Sequence, residues 1–199
     1  MTDLRKRGRP KQFDPTQVVA NAMTAFWAKG YENTTLEDLE EATGVDRSTI
    51  YNSFGGKTGL YESAAGAYVD RGDSHLFAPL SDGDEGLADI VEFLNRVQAI
   101  HLSDDTPPGC LIINDLACPP NAPIASRYLE SVRTGIEQAI DRSNRVDGTD
   151  PAHNSSRQVS LVAAVIGTNL THRRDPDRGA TNRTFDGLRQ LVGSWSTRT

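Results

Sequence analysis

Thr34-Thr35-Leu36-Glu37-Asp38-Leu39-Glu40-Glu41-Ala42-Thr43-Gly44-Val45-Asp46-Arg47-Ser48-Thr49-Ile50-Tyr51-Asn52-Ser53-Phe54 is the stretch that decides the fold. Thr34 and Glu37, three apart, form a capping-box pattern that opens a short helix. Leu36, Leu39 and Thr43 share one face of it. Gly44 ends it, because a tight turn there requires positive φ. Asp46 then caps a second short helix that runs to about Ser53, with Ile50 and Phe54 as inward anchors. Two short helices joined by a glycine turn, after a longer one, make a helix-turn-helix.

The longer helix lies just upstream. Asp14 followed by Pro15 is a favoured cap and first-position pair. Val18, Ala22, Ala25 and Phe26 recur at helical spacing, Lys29 suits the last turn, and Gly30 supplies the stop. Downstream, Gly55 and Gly56 break the chain, and a fourth helix runs from about Lys57 past Tyr68. In such a motif the last short helix enters the DNA major groove while the one before it crosses the backbone. Arg47 can donate two bonds to a guanine edge, and Asn52 can pair with adenine. Ser48, Thr49 and Tyr51 offer short donors to phosphates or bases. Thr34, Thr35 and Lys57 stand at helix starts, where phosphate binds.

Charge is distributed to match. The net charge is −6, which alone argues against nucleic acid, yet Arg5, Lys6, Arg7, Arg9 and Lys11 cluster at one end. Arg7 and Arg9 flank Gly8 and precede Pro10, a pattern that fits a narrow minor groove. Residues 1–13 therefore read as a flexible basic arm and 14–72 as a DNA-binding domain. A loop rich in Pro, Gly, Ser and Asp is expected at 72–85, leaving 73–199 as a second domain. Its expected helices fall near 86–102, 109–118, 123–145, 151–172 and 181–195. The pattern is helical nearly throughout, so the fold class is all-α.

The run Phe26-Trp27-Ala28-Lys29-Gly30-Tyr31-Glu32-Asn33-Thr34-Thr35 resembles the end of the first helix in the TetR family of repressors. Asp38-Leu39, Thr43-Gly44-Val45 and Ser48-Thr49-Ile50-Tyr51-Asn52-Ser53-Phe54-Gly55-Gly56-Lys57 continue the match, which covers about residues 8–70. Two positions depart from the family: Glu40, where a small residue is common, and Thr43, where alanine is common. Glu40 flanks the buried face and must reach solvent or find a partner. Glu37, Asp38, Glu40 and Glu41 make the second helix acidic, which reads as a solvated face.

The resemblance implies a regulatory and dimerisation domain beyond residue 72. Pro108-Gly109-Cys110-Leu111-Ile112-Ile113-Asn114 is similar to a segment in one branch of the family. Helices carrying Val162, Val165, Ile166 and Leu170, and Leu188, Leu191 and Trp195, resemble the pair that forms its homodimer interface. A small-molecule effector is implied, with Phe77, Phe93, Val97, Asn114, Tyr128 and Asn169 as candidate pocket residues. The expected partners are thus a palindromic double-stranded operator, an effector and a second copy of the chain.

Other classes find less support. No nucleophile–base arrangement, phosphate loop or cofactor fingerprint appears, so neither an enzyme nor a cofactor is expected. The four histidines show no metal-ligand spacing, so no metal is expected. No apolar run reaches the roughly 18 residues that span a membrane, and no secretory signal is read, so a cytoplasmic location is expected. The alternative function is a redox- or metal-responsive regulator using Cys110 and Cys118. On one helix these would lie about 12 Å apart, beyond the roughly 7 Å a disulfide allows.

Overall fold

Asp14 starts the first helix as expected. In the computed structural model, which describes residues 13–196, its carboxylate accepts the Thr16 N–H at 2.9 Å. Helix α1 spans Pro15–Lys29 and buries Val18, Ala22, Phe26 and Trp27. Helices α2 (Leu36–Thr43), α3 (Arg47–Phe54) and α4 (Gly56–His75) follow. Gly44 joins α2 to α3 in the left-handed conformation, at φ 72° and ψ 9°. The four helices close over Phe26, Leu39, Ile50, Leu60 and Tyr61, all fully buried. Phe26 meets Tyr61 edge-on at 5.1 Å.

The cap of α2 sits one residue later than the sequence suggests. Thr35, not Thr34, is the N-cap, and its box partner is Asp38, not Glu37. Thr35 Oγ1 accepts the Asp38 N–H at 3.1 Å, and Asp38 Oδ2 accepts the Thr35 N–H at 2.8 Å. Both registers satisfy the capping pattern, so a tertiary contact selects between them. Asp38 also receives the Lys29 ammonium at 2.6 Å. Thr34 instead turns back to donate to the Gly30 carbonyl at 2.7 Å.

Helix α4 crosses the expected domain boundary and continues to His75. A short helix α5 (Ala78–Asp82) then replaces most of the expected loop. The reason is apolar: Phe77, Pro79 and Leu80 are buried beneath polar neighbours. Asp89 fixes the true turn before α6 (Leu87–Leu102) by accepting the Gly86 N–H at 3.0 Å. It also pairs with the largely buried Arg142 guanidinium at 3.1 Å.

The expected helix at 109–118 is a single turn, α7 (Leu111–Asn114). Asn121 ends it by donating to the carbonyls of Ile112 at 2.9 Å and Asp115 at 3.0 Å. A 3-10 turn at Pro119–Asn121 leads into α8 (Ala122–Val146). The two cysteines therefore do not share a helix. Asp150 caps a 3-10 turn at Pro151–His153, followed by α9 (Asn154–Arg174). Asp177 caps α10 (Arg178–Gly193), which starts three residues before the expected 181. No strand occurs among the described residues. Buried residues from Val18 to Trp195 join one apolar cluster, so both halves share a core.

The expected dimer-interface residues divide. Val165 at 3% exposure and Trp195 at 9% belong to the chain's own core, because α9 and α10 also cover α7, α8 and α6. Leu170 at 48% and Leu191 at 43% are exposed, and Val159 joins them at 64%. Val162, Ile166 and Leu188 are half-buried.

Candidate nucleic-acid interface

Helix α3 is built to hold a polar face outward. Asp46 Oδ1 accepts the Thr49 N–H at 2.7 Å and the Ser48 hydroxyl at 2.8 Å. Ile50 is fully buried and anchors the opposite face. Phe54 is half-buried, with its ring 6.3 Å from that of Phe13. Arg47, Ser48, Tyr51 and Asn52 are exposed, and Thr49 is half-buried. Tyr51 is 55% exposed, a large aromatic surface for a residue not used in packing. Its ring borders the buried Gly56, where a Cβ would stand 3.0 Å from Tyr51 Cε1. Gly56 also has φ +87°, so both space and backbone require glycine.

Glu40 resolves its departure from the family pattern by bonding α3. Its Oε1 accepts the Arg47 N–H at 2.7 Å, and its Oε2 lies 3.6 Å from the Arg47 guanidinium. One carboxylate thus caps the recognition helix and orients its arginine. Arg47 is half exposed and the pair is 3.6 Å long, so the ion pair holds the arginine only weakly. Sequence reasoning marked Glu40 as anomalous but did not find this role; its seven-residue spacing to Arg47 across a turn was the available signal.

The flanking candidates separate. Lys57 Nζ lies 4.3 Å from the Tyr31 ring centroid and 3.4 Å from the Glu32 carbonyl. These contacts hold the ammonium at the start of α4, and Tyr31 is the platform the sequence did not reveal. Thr35 is exposed at the start of α2. Thr34, expected at this surface, is 1% exposed, and its hydroxyl is turned inward to the Gly30 carbonyl, because Thr35 takes the cap position. Arg7 and Arg9 lie outside the described residues. Asp38 stays ionised far into acid, its pKa held at about 2 by the Lys29 ammonium and the Thr35 backbone N–H.

Polar contacts brace this unit against the other half of the chain. Trp27 Nε1 donates to the Gly109 carbonyl at 3.2 Å. The Tyr31 N–H and the Tyr61 hydroxyl both donate to Asp115 Oδ2, at 3.0 and 3.3 Å. Arg173 donates to the Ala28 carbonyl at 2.8 Å, near the negative end of α1. Burial raises the Asp115 pKa, opposed by the Tyr31 and Tyr61 bonds.

The candidate pocket residues do not converge on one cavity. Phe93, Val97, Tyr128 and Asn169 border a void of about 10 Å³, room for roughly one water. Phe77 packs between the rings of Phe93 at 5.9 Å and Tyr128 at 5.5 Å. Asn114 donates to the Pro108 carbonyl at 3.2 Å. These six mostly fill core; Tyr128 alone also reaches a larger cleft of about 480 Å³.

Both thiols are buried and free. Burial pushes the Cys118 thiol up, the reverse of what a reactive thiolate needs, and the redox alternative loses its support. Among the described residues no cluster of three or more His, Cys, Asp or Glu could hold a metal. No described helix is long and apolar enough to cross a membrane.

Known proteins share this organisation. Residues 18–64 match the model of the bacterial regulatory proteins of the tetR family. The chain is 35% identical over 159 residues to the HTH-type transcriptional repressor ComR of Escherichia coli, covering 75% of this chain and 73% of that one. It is 31% identical over 137 residues to the HTH-type regulator YezE of Bacillus subtilis, covering 67% and 69%. Among solved structures, a CifR cysteine mutant complexed with 26-base-pair operator DNA superposes with a TM-score of 0.79 at 22% identity, over 94% of this chain and all of that one. A regulator from Cytophaga hutchinsonii gives a TM-score of 0.77 at 20% identity, over 93% and 96%. With its three-helix reading unit, its all-helical second half and these relatives, the chain belongs to the TetR family of transcriptional regulators.

Proposed function

We propose that the protein is a homodimeric repressor that binds a palindromic operator and is released from it by a small-molecule effector. The observation that carries this reading is the face of α3: Arg47, Tyr51 and Asn52 are exposed together on a helix anchored by a fully buried Ile50. Such a face suits the major groove, with Arg47 on guanine and Asn52 on adenine. Ser48, Thr49 and Tyr51 contact backbone or base edges, while Thr35 and Lys57 hold phosphates at the starts of α2 and α4. The repressor reading is supported by ComR and by BdcR of Escherichia coli, itself named a transcriptional repressor. CifR was solved on double-stranded operator DNA, which supports the same partner here.

One recognition helix reads too few bases for a selective site. Two, about 34–36 Å apart, read the halves of a palindrome. Leu170 and Leu191, exposed on α9 and α10, and the half-buried Val162, Ile166 and Leu188 support a second copy docking there. Fluorescence anisotropy on genomic fragments near the chain's own gene tests the reading. Tight binding should weaken steeply with salt. Arg47→Ala should cost about 1–3 kcal/mol on the operator and blur its sequence preference, while Lys57→Ala should weaken all duplexes alike. Equal affinity for operator and random duplex would remove the proposal.

A further inference from the structure

The cleft of about 480 Å³ lies where the DNA-reading unit meets the rest of the chain. Its walls are Met23 and Trp27 of α1, Tyr68 and Arg71 of α4, and Arg96 and Ile100 of α6. Its size falls in the range of small-molecule sites, and its walls are mainly apolar and aromatic. The Trp27 and Tyr68 rings meet edge-on at 5.1 Å.

Charge gives the cleft a sign. Among the described side chains its lining includes Arg71, Arg96 and His75 and no carboxylate, in a chain whose net charge is −6. Arg71 is exposed and has no ion-pair partner among the described residues. Arg96 is anchored: its Nε donates to Glu92 at 2.8 Å and its Nη1 to the His75 carbonyl at 2.6 Å. Its Nη2 has no protein partner among the described residues. Of the nearby acids, Asp70 is engaged by Arg127, away from the cleft, while Glu92 pairs with Arg96 itself, so Arg71 carries the unpaired charge. The Arg71 guanidinium, with the remaining Nη2 of Arg96 and an aromatic wall in the same cleft, matches an anion that carries an apolar body.

We propose that this cleft is the effector site and that it takes an organic carboxylate with an apolar or aromatic body. The proposal rests on the repressor reading for its regulatory half, not for its binding half. Trp27 lines the cleft while its indole N–H holds the Gly109 carbonyl. Helix α4 lines it too, and its N-terminal end follows α3 directly through Gly55. A carboxylate held by Arg71 in this cleft therefore bears on the brace of α1 and on the helix that carries α3. An occupant that fits one arrangement of these helices better shifts the population toward it.

The test uses the full chain and three probe pairs: octanoate, cinnamate and 2-naphthoate, each against its uncharged amide. Calorimetry without DNA should show at least one acid binding about ten-fold or more tighter than its amide, the discrimination expected of one charge-assisted contact. Arg71→Gln should bring acid and amide within about three-fold. Ala99→Phe, which fills the cleft from an exposed position on α6, should abolish both. Far-ultraviolet circular dichroism checks that each variant is folded. Acid and amide binding alike, Arg71→Gln leaving the preference intact, or no probe binding at millimolar concentration would overturn the site. Anisotropy on the operator is the second arm, and the bound acid should weaken DNA binding at least five-fold. Charge-selective binding with unchanged operator affinity would keep the site and overturn its role as effector site.

Discussion

Residues 14–56 and residues 76–121 are of similar length, yet their folds rest on different kinds of interaction. The first segment is organised locally: Asp14, Thr35 and Asp46 each cap the helix that begins beside them. The second is organised by distant partners. Asp89 turns toward Arg142, Asp115 toward Tyr31, and Trp27 holds Gly109 from another helix. Local caps can be read along the chain, whereas partners 53 to 84 residues away cannot. The contrast places the exposed face of α3 in a locally determined unit, and leaves the geometry of the other segment to residues far along the chain.

Acid should separate the two regions most. His101 and His172 are buried, their rings parallel and 4.6 Å apart. Burial lowers the His101 pKa from 6.5 to about 4, and that of His172 is lowered as well. Between those values the unfolded chain binds the proton that folded His101 excludes. Stability therefore falls as pH drops from about 6.5 toward 4, by about 3 kcal/mol at most for His101. Asp38 has the same sign in a lower window: its stabilising contribution is present above 3.8 and is lost only as pH falls toward about 2. Hydrogen exchange at pH 5 should show α6, α9 and α10 loosening before α2 and α3. Uniform loosening, or the same pH slope in His101→Gln, would break the comparison.

The joint between the regions should give the next largest effect. Asp115→Ala leaves the Tyr31 N–H and the Tyr61 hydroxyl without their acceptor. A loss of about 2 kcal/mol is expected in urea unfolding. Operator affinity should change as well, because α1 loses part of its brace. Altered affinity without altered stability would mean that Asp115 acts on DNA binding by another route.

The smallest effect tests local determination itself. Thr35→Ala should cost about 1 kcal/mol through the lost cap. Glu37→Ala should stay within about 0.5 kcal/mol, since Glu37 is exposed and outside the box that forms. The reverse ranking in thermal melts would restore the Thr34–Glu37 register.

Even the legible half had one ambiguity. Thr34-Thr35-Leu36-Glu37-Asp38 satisfies the capping pattern twice, and Lys29 decides between the registers from the end of α1. In the other half, a single-turn α7 replaced a ten-residue helix because the Asn121 side chain takes its carbonyls. Nothing in the periodicity of 109–118 announces that contact. Pocket residues are hard to read for a related reason: an apolar residue at helical spacing looks the same whether it lines a cavity or fills core.

The sequence by itself determined that this chain is helical, where α1 to α3 begin and end to within about one residue, and that α3 turns Arg47, Tyr51 and Asn52 outward, because caps, glycine turns and helical period act over a few residues. Only the tertiary structure decided that Thr34 is buried, that Glu40 holds Arg47, that Asp115 and Arg173 tie α1 to the second half, and that Arg71 and Arg96 line one cleft between them. Those outcomes depend on which residues meet across long loops of chain, and burial and charge pairing act only once they have met.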